Sequence, residues 1–249
     1  MNNYRLTFNA SSNLMLPTGV YDILFHDAYY FGYIKNDKPN INGLLNHLIP
    51  VLSDYQDDLH QKLLKYNNGN EEITRIVEQN IHNVYLVPFN FSDDARVNVP
   101  FRINKDQYTD FIKIHDVKLR YYNTDFTNFV RNLLSEYATK TINQREYLYH
   151  FRLMSDLQNT IIKSNLCHFH LVDNVVSFIP FSIDVSPITN KNYIVGISAD
   201  KKSPLLVSLA KINSIAVDRN RLSISDEDCI KVVNYLNEFI KKESFECLD

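Results

Sequence analysis

The stretch from Phe178 to Val217 constrains the fold most. Ile179, Phe181, Ile183 and Val185 alternate with polar or small residues, the period of a half-buried strand. Ser186-Pro187 and Thr189-Asn190 mark a turn, and Tyr193 to Ile197 is a second apolar run. Asp200 to Pro204 is a second turn and Leu205 to Leu209 a third strand. Lys211-Ile212 and Ile215-Val217 close the pattern, and Leu166 to Val172 supplies a strand before it. Short strands this closely spaced predict a small, strongly bent barrel.

The first half of the chain is organised differently. Tyr4, Leu6 and Phe8 alternate with Arg5 and Thr7, which predicts a short strand. Val20 to Phe31 reads as a helix, and Asn40 or Asn42 caps a second from Ile41 to about Tyr66, with Pro50 expected to kink or split it. Glu71 to Asn83 is a short helix with an acidic first turn. The opening order then recurs. Val97, Val99, Phe101 and Ile103 alternate with Arg96, Asn98, Pro100 and Arg102; Asn104 starts a helix to about Leu119, and Thr124 or Asp125 caps another through Ala138. Ile41, Leu45, Leu48, Ile49 and Leu52 match Phe126, Val130, Leu133, Leu134 and Tyr137 in spacing, and Phe25-His26-Asp27 matches Ile114-His115-Asp116. Arg145 to Lys163 reads as one helix leading into the barrel, and Ser225 caps a last helix.

A strand followed by two helices, present twice, resembles the ribbon-helix-helix fold. The resemblance implies that the two strands pair into an antiparallel ribbon whose outward side chains contact nucleic acid. Arg5, Thr7, Asn98 and Arg102 are the candidate readers, since Arg and Asn suit base edges. Pro100 removes a ladder donor, which a strand tolerates at an edge or bulge.

Pro187, then Asn192-Tyr193-Ile194, then Leu209-Ala210-Lys211-Ile212 resemble the WYL domain. Asn192 stands where that family has Trp, Ile194 where it has Leu, and Ser208 and Lys211 where it has two Arg. The resemblance implies an Sm-like or SH3-like barrel with a pocket for nucleic acid or another ligand. Its pocket residues fall on Tyr193, Ser208 and Lys211, and Lys191 adds a phosphate partner. Tyr193 is either a ring for stacking a base or a core aromatic. The order of ribbon-helix-helix and WYL units is similar both to bacterial WYL regulators and to the accessory proteins of type VI-D CRISPR systems.

Composition excludes other classes. A net charge of -3 argues against coating nucleic acid by charge alone, yet residues 96–152 hold ten Lys/Arg against six Asp/Glu. Five glycines and the absence of G-x-G-x-x-G or G-x-x-x-x-G-K leave no phosphate loop. Cys167, Cys229 and Cys247 lack metal-like spacing and suit a reducing compartment. His168 and His170 share a strand face without an evident third ligand. No run approaches the ~18 apolar residues of a membrane span.

The expectation is an α+β chain: tandem ribbon-helix-helix-like units, a small Sm/SH3-like β-barrel of WYL type and a C-terminal helix. The expected divisions are residues 1–90, 91–144, a connecting helix 145–165, and 166–249. The expected role is a cytoplasmic, non-enzymatic nucleic-acid-binding regulator without cofactor or metal. One form is a transcriptional regulator on duplex DNA with a ligand-sensing barrel. The other is a single-stranded-RNA-binding accessory module of a CRISPR nuclease. The last helix either covers the barrel or pairs with a second copy as a homodimer.

Overall fold

A computed structural model describes residues 11–85, 95–171, 174–200, 203–221 and 225–239. The chain divides into two compact units, Met1–Lys140 and Thr141–Asp249.

In the first unit, β1 (Ser11–Pro17) leads straight into α1 (Thr18–Tyr30). A two-residue hairpin, β2 (Ile34–Lys35) and β3 (Lys38–Pro39), precedes α2 (Ile41–Tyr66). The hairpin turns at Asn36 and Asp37, both left-handed, as a tight hairpin loop requires. Asn40 caps α2 by accepting the Gly43 N–H at 3.0 Å. Pro50 is accommodated within α2, which the secondary structure carries through as one helix. The helix α3 (Glu71–Tyr85) follows. Its Glu78 is 2% exposed and bonded at once to His60 Nδ1 of α2 and, across the unit, to the Tyr121 hydroxyl.

The second strand-helix-helix set is β4 (Arg96–Arg102), a helical run through α4 (Tyr108–Lys113) and α5 (Leu119–Tyr121), and α6 (Phe126–Ala138). A π-helical segment, Ile114–Lys118, joins α4 to α5. Asp125 caps α6 through the Asn128 N–H at 2.8 Å. β1 and β4 pair antiparallel, residue for residue, into a two-stranded ribbon. Leu14, Leu16, Val99 and Phe101 lie on its inner face and are at most 4% exposed. The matched helical positions Leu45, Leu48, Ile49 and Leu52, and Val130, Leu133, Leu134 and Tyr137, are all buried, so the shared spacing reflects one core lined twice. The expected strand Tyr4–Phe8, with Arg5 and Thr7, lies outside the described residues; the strand that meets β4 is Ser11–Pro17.

In the second unit the single helix expected over residues 145–163 is two. α7 (Ile142–Tyr149) starts at a Thr141–Gln144 capping box, breaks at His150, and gives way to α8 (Phe151–Lys163). α8 ends on the left-handed Ser164. A five-stranded antiparallel sheet follows: β5 (Asn165–His170), β6 (Val175–Val185), β7 (Asn192–Ser198), β8 (Pro204–Ser208) and β9 (Ser214–Arg221). Their order is β8-β7-β6-β5-β9. The expected closed barrel is therefore corrected to an open sheet. The turn Leu209–Lys211 sends β9 back to pair with β5, and β8 and β9 remain separate edges. A register shift between Pro180 and Ser182 bends the long β6.

β7 is an inner strand, between β8 and β6, and is buried throughout, so its side chains serve two cores. Ile194 packs with Phe169, Phe178, Val207 and the α8 residues Met154 and Leu157. Tyr193, Val195 and Ile197 face the other way, with Leu206 and Val232 of α9 (Asp226–Phe239). The uninterrupted apolar run of β7 follows from burial on both faces. The last helix thus covers the sheet. Among the described residues no helix is long and apolar enough to cross a membrane.

Candidate nucleic-acid interface

The period-2 geometry of β4 turns Arg96, Asn98, Pro100 and Arg102 to solvent. On β1 the same face carries Asn13 and Met15, both exposed. Cross-strand neighbours on it are Met15 with Asn98, Asn13 with Pro100, and Pro17 with Arg96.

The prolines cost this ribbon no ladder bond. Arg102 N–H donates to Asn42 Oδ1 at 2.7 Å, and its carbonyl accepts from Asn46 Nδ2 at 2.9 Å. Both groups therefore go to α2 and not to β1. Hydrogen-bonded and non-hydrogen-bonded pairs alternate along an antiparallel ladder. Pro100 and Pro17 fall in the same class as Arg102, where no inter-strand donor is needed. Asn46, 2% exposed, also accepts the Asn104 N–H at 2.8 Å, so one buried amide fixes the end of the ribbon against α2. A recess of about 500 Å³ lined by Ser12, Asn13, Asn42, Pro100, Phe101 and Arg102 opens there.

The four candidates of the second unit have different settings. Tyr193 and Ser208 are direct cross-strand partners, 7% and 4% exposed. Tyr193 sits in the core beneath α9. Lys191, just before β7, and Lys211, in the turn after β8, are half-buried. Asn192 is bound into a buried polar clamp. Its N–H and Nδ2 donate to Glu146 Oε2 at 2.6 and 2.7 Å, and Nδ2 also reaches the Asn143 carbonyl at 2.6 Å. Glu146 is fully buried.

Other reactive side chains are structural in their surroundings. Burial pushes the Cys167 thiol up to about 11, against a hydrogen bond from Thr160 that lowers it, so little thiolate exists at neutral pH. His168 Nδ1 lies 2.9 Å from Ser177 Oγ, its register partner. Among the described residues no group of three or more His, Cys, Asp or Glu is arranged to hold a metal ion.

No protein-family model matches the chain, so neither sequence resemblance has a family match behind it. No curated protein matches it either. The fold is similar to a crystal structure of a CRISPR Cas-related protein, with a TM-score of 0.65 over 94% of this chain and 72% of the other. At 14% identity the likeness is one of fold.

Sequence reasoning missed β1 and with it Asn13 and Met15. Leu14 and Leu16 carried the signal, but Ser11-Ser12 and Pro17 leave only two apolar residues in phase. The Glu146–Asn192 clamp had no local signal, because its partners are 46 residues apart.

Proposed function

We propose that the chain is a non-catalytic, single-stranded-nucleic-acid-binding accessory protein of a CRISPR system, with the β1–β4 ribbon as its contact surface. The observation that carries the binding half is the outward face of that ribbon. Asn13, Arg96, Asn98 and Arg102 are exposed there on a rigid two-stranded support, over a buried inner face. Arg supplies phosphate neutralisation, and Asn supplies paired donor and acceptor groups for a base edge. The paired strands, β1 leading to α1 and α2 with an added hairpin and α3, and β4 leading to the α4–α5 run and α6, support a ribbon-helix-helix reading of the first unit. In the second unit, the return of β9 beside β5 after a single helical turn supports an Sm/SH3-like reading of the sheet. The CRISPR half is supported by the fold of the Cas-related neighbour.

A duplex-DNA regulator is the second reading, favoured by the width of a two-stranded ribbon, which fits a major groove. Titrating one labelled 20-nucleotide RNA and its duplex DNA equivalent separates them. Tighter binding to the single strand, weakened by Asn98→Ala with Arg102→Ala, is expected. Preference for the duplex replaces the first reading by the second, and no binding to either at low salt sinks both.

The outward Ile230 and Val233 of α9, 60% and 55% exposed, support a second copy of the chain as a partner. Light scattering on Ile230→Glu with Val233→Glu tests this: an assembly reduced to monomer supports it, and a wild-type chain already monomeric removes it.

A further inference from the structure

We infer that a recess at the end of the ribbon takes one unpaired nucleotide, its phosphate on Arg120 and its base against Leu119 and Phe126. The inference rests on the nucleic-acid reading and adds a second contact to it, away from the ribbon face.

The recess is about 730 Å³, inside the ~300–1,000 Å³ range of small-molecule sites. It is walled by His115, Leu119 and Arg120 at the end of one helical run, by the Asn123–Thr124 turn, by the first turn of α6, and by Ser12 of β1. The left-handed Asn123 (φ 48°) ends the helical run, so the turn and the start of α6 come to the same opening.

Its polar groups divide by chemistry. Arg120 is exposed and makes no ion pair among the described residues, so its guanidinium is available to a phosphate. The Asp125 carboxylate is already engaged by the backbone and side-chain amides of Asn128, which ties its charge to the cap. Ser12 Oγ is buried with no hydrogen-bond partner among the described residues. A buried hydroxyl without a partner is uncommon in folded proteins, and a ligand oxygen would satisfy it. Asn123 offers both donor and acceptor at the mouth, the pair that a base edge needs. Leu119 and Phe126 give the apolar wall. One cation, amides and an apolar surface together suit a nucleotide better than a bare anion.

Ser12 also lines the recess beside Arg102 and Asn13. Ser12 is thus a wall common to both recesses, and the proposal runs a strand from Arg102 on the ribbon past Ser12 to Arg120. A base can follow that path only if it is unpaired.

The test uses the full chain with two probes, a labelled 12-nucleotide single-stranded RNA and AMP, the latter followed by NMR. Arg120 is exposed, so Arg120→Ala is expected to keep the wild-type melting temperature. The expected result is that Arg120→Ala weakens the 12-mer about tenfold and removes AMP binding. Asn98→Ala with Arg102→Ala should weaken the 12-mer and leave AMP binding intact. AMP binding that is absent from the wild type, or equal in Arg120→Ala, overturns the proposal. Inorganic phosphate displacing AMP at equal concentration overturns the base half and with it the nucleotide assignment. If Arg120→Ala acts on both probes but the ribbon variant acts on neither, the recess stands and the ribbon reading falls. If the ribbon variant acts on the 12-mer and Arg120→Ala acts on neither probe, the reverse holds.

Discussion

The Tyr137 hydroxyl donates to Asp27 Oδ2 at 2.7 Å, across 110 residues of sequence, and each residue is 1% exposed. Under the internal match, Tyr137 corresponds to Leu52 and Asp27 to Asp116. Asp116 lies at the surface beside His115, and Leu52 has no hydroxyl to offer. The Tyr137–Asp27 bond is thus a polar cross-link between the two strand-helix-helix sets that their repeat does not duplicate. Removing its donor leaves a buried carboxylate with one bond fewer. Tyr137→Phe is expected to lower stability by about 1–3 kcal/mol in urea denaturation. A loss under 0.5 kcal/mol would show that the other contacts of Asp27 suffice.

Gly196 of β7 lies opposite Pro180 beside the β6 bulge. A Cβ there would stand 2.0 Å from the Ile179 carbonyl oxygen and 2.8 Å from the Phe178 ring. Backbone cannot yield as a flexible side chain does, so Gly196→Ala should cost about 3 kcal/mol or more, seen as a fall in denaturation midpoint. A variant as stable as the wild type would mean that β6 can shift away without loss.

Asn192 has a definite structural role in the second unit. Its amide satisfies a carboxylate that is fully buried. Asn192→Trp removes that donor and adds a bulky ring where only 7% of the residue is exposed. It is expected to destabilise the second unit by about 3–5 kcal/mol, as breaking a buried charged contact does. Asn192→Ala, which keeps the backbone donor to Glu146, should cost less. A stabilised Asn192→Trp would refute the clamp.

Periodicity made the elements legible and left their closure illegible. The alternation at Val97, Val99, Phe101 and Ile103 revealed β4 and its inner face, because burial of one face dictates a period of two. The spacing shared by Leu45–Leu52 and Val130–Tyr137 revealed the recurring helix, because one core is lined from both sides. What escaped depends on distance in sequence. Whether β8 and β9 pair depends on how far the bulged β6 bends the sheet, which no local pattern records. His150 breaks the helix expected over residues 145–163 although the apolar spacing runs on through it. Tyr193 reads equally as a stacking ring or a core ring until α9 is seen over it.

The Cys167 thiol is raised to about 11 by burial, above its ordinary value of 9.0. The folded state therefore holds its proton more tightly than the unfolded state. Its contribution to stability is present below pH 9 and is lost as pH rises from about 9 to 11. The full swing is roughly 2–3 kcal/mol. Tyr121, raised to about 12 chiefly by burial with Glu78 beside it, acts with the same sign from pH 10 upward. Urea midpoints should fall between pH 8.5 and 10.5, and less steeply in Cys167→Ala. At pH 8, iodoacetamide with peptide mapping should label Cys229 in the native chain but Cys167 only after denaturation. Rapid native labelling of Cys167 would contradict its burial.

Arg96 and Arg102 occupy opposite ends of β4 on the same outward face, with Asn98 and Pro100 between them. If each neutralises one phosphate, their joint replacement changes the salt dependence as well as the affinity. For a single strand each such contact contributes a slope of about -0.7 in log K against log salt. Arg96→Ala with Arg102→Ala should therefore reduce the slope magnitude by about 1.4 between 50 and 200 mM salt. Asn98→Ala should weaken binding at every salt concentration without altering the slope, since an amide releases no counterion. A ribbon variant with the wild-type slope would move the phosphate contacts elsewhere, and a changed slope in Asn98→Ala would mean that its replacement disturbs the neighbouring arginines.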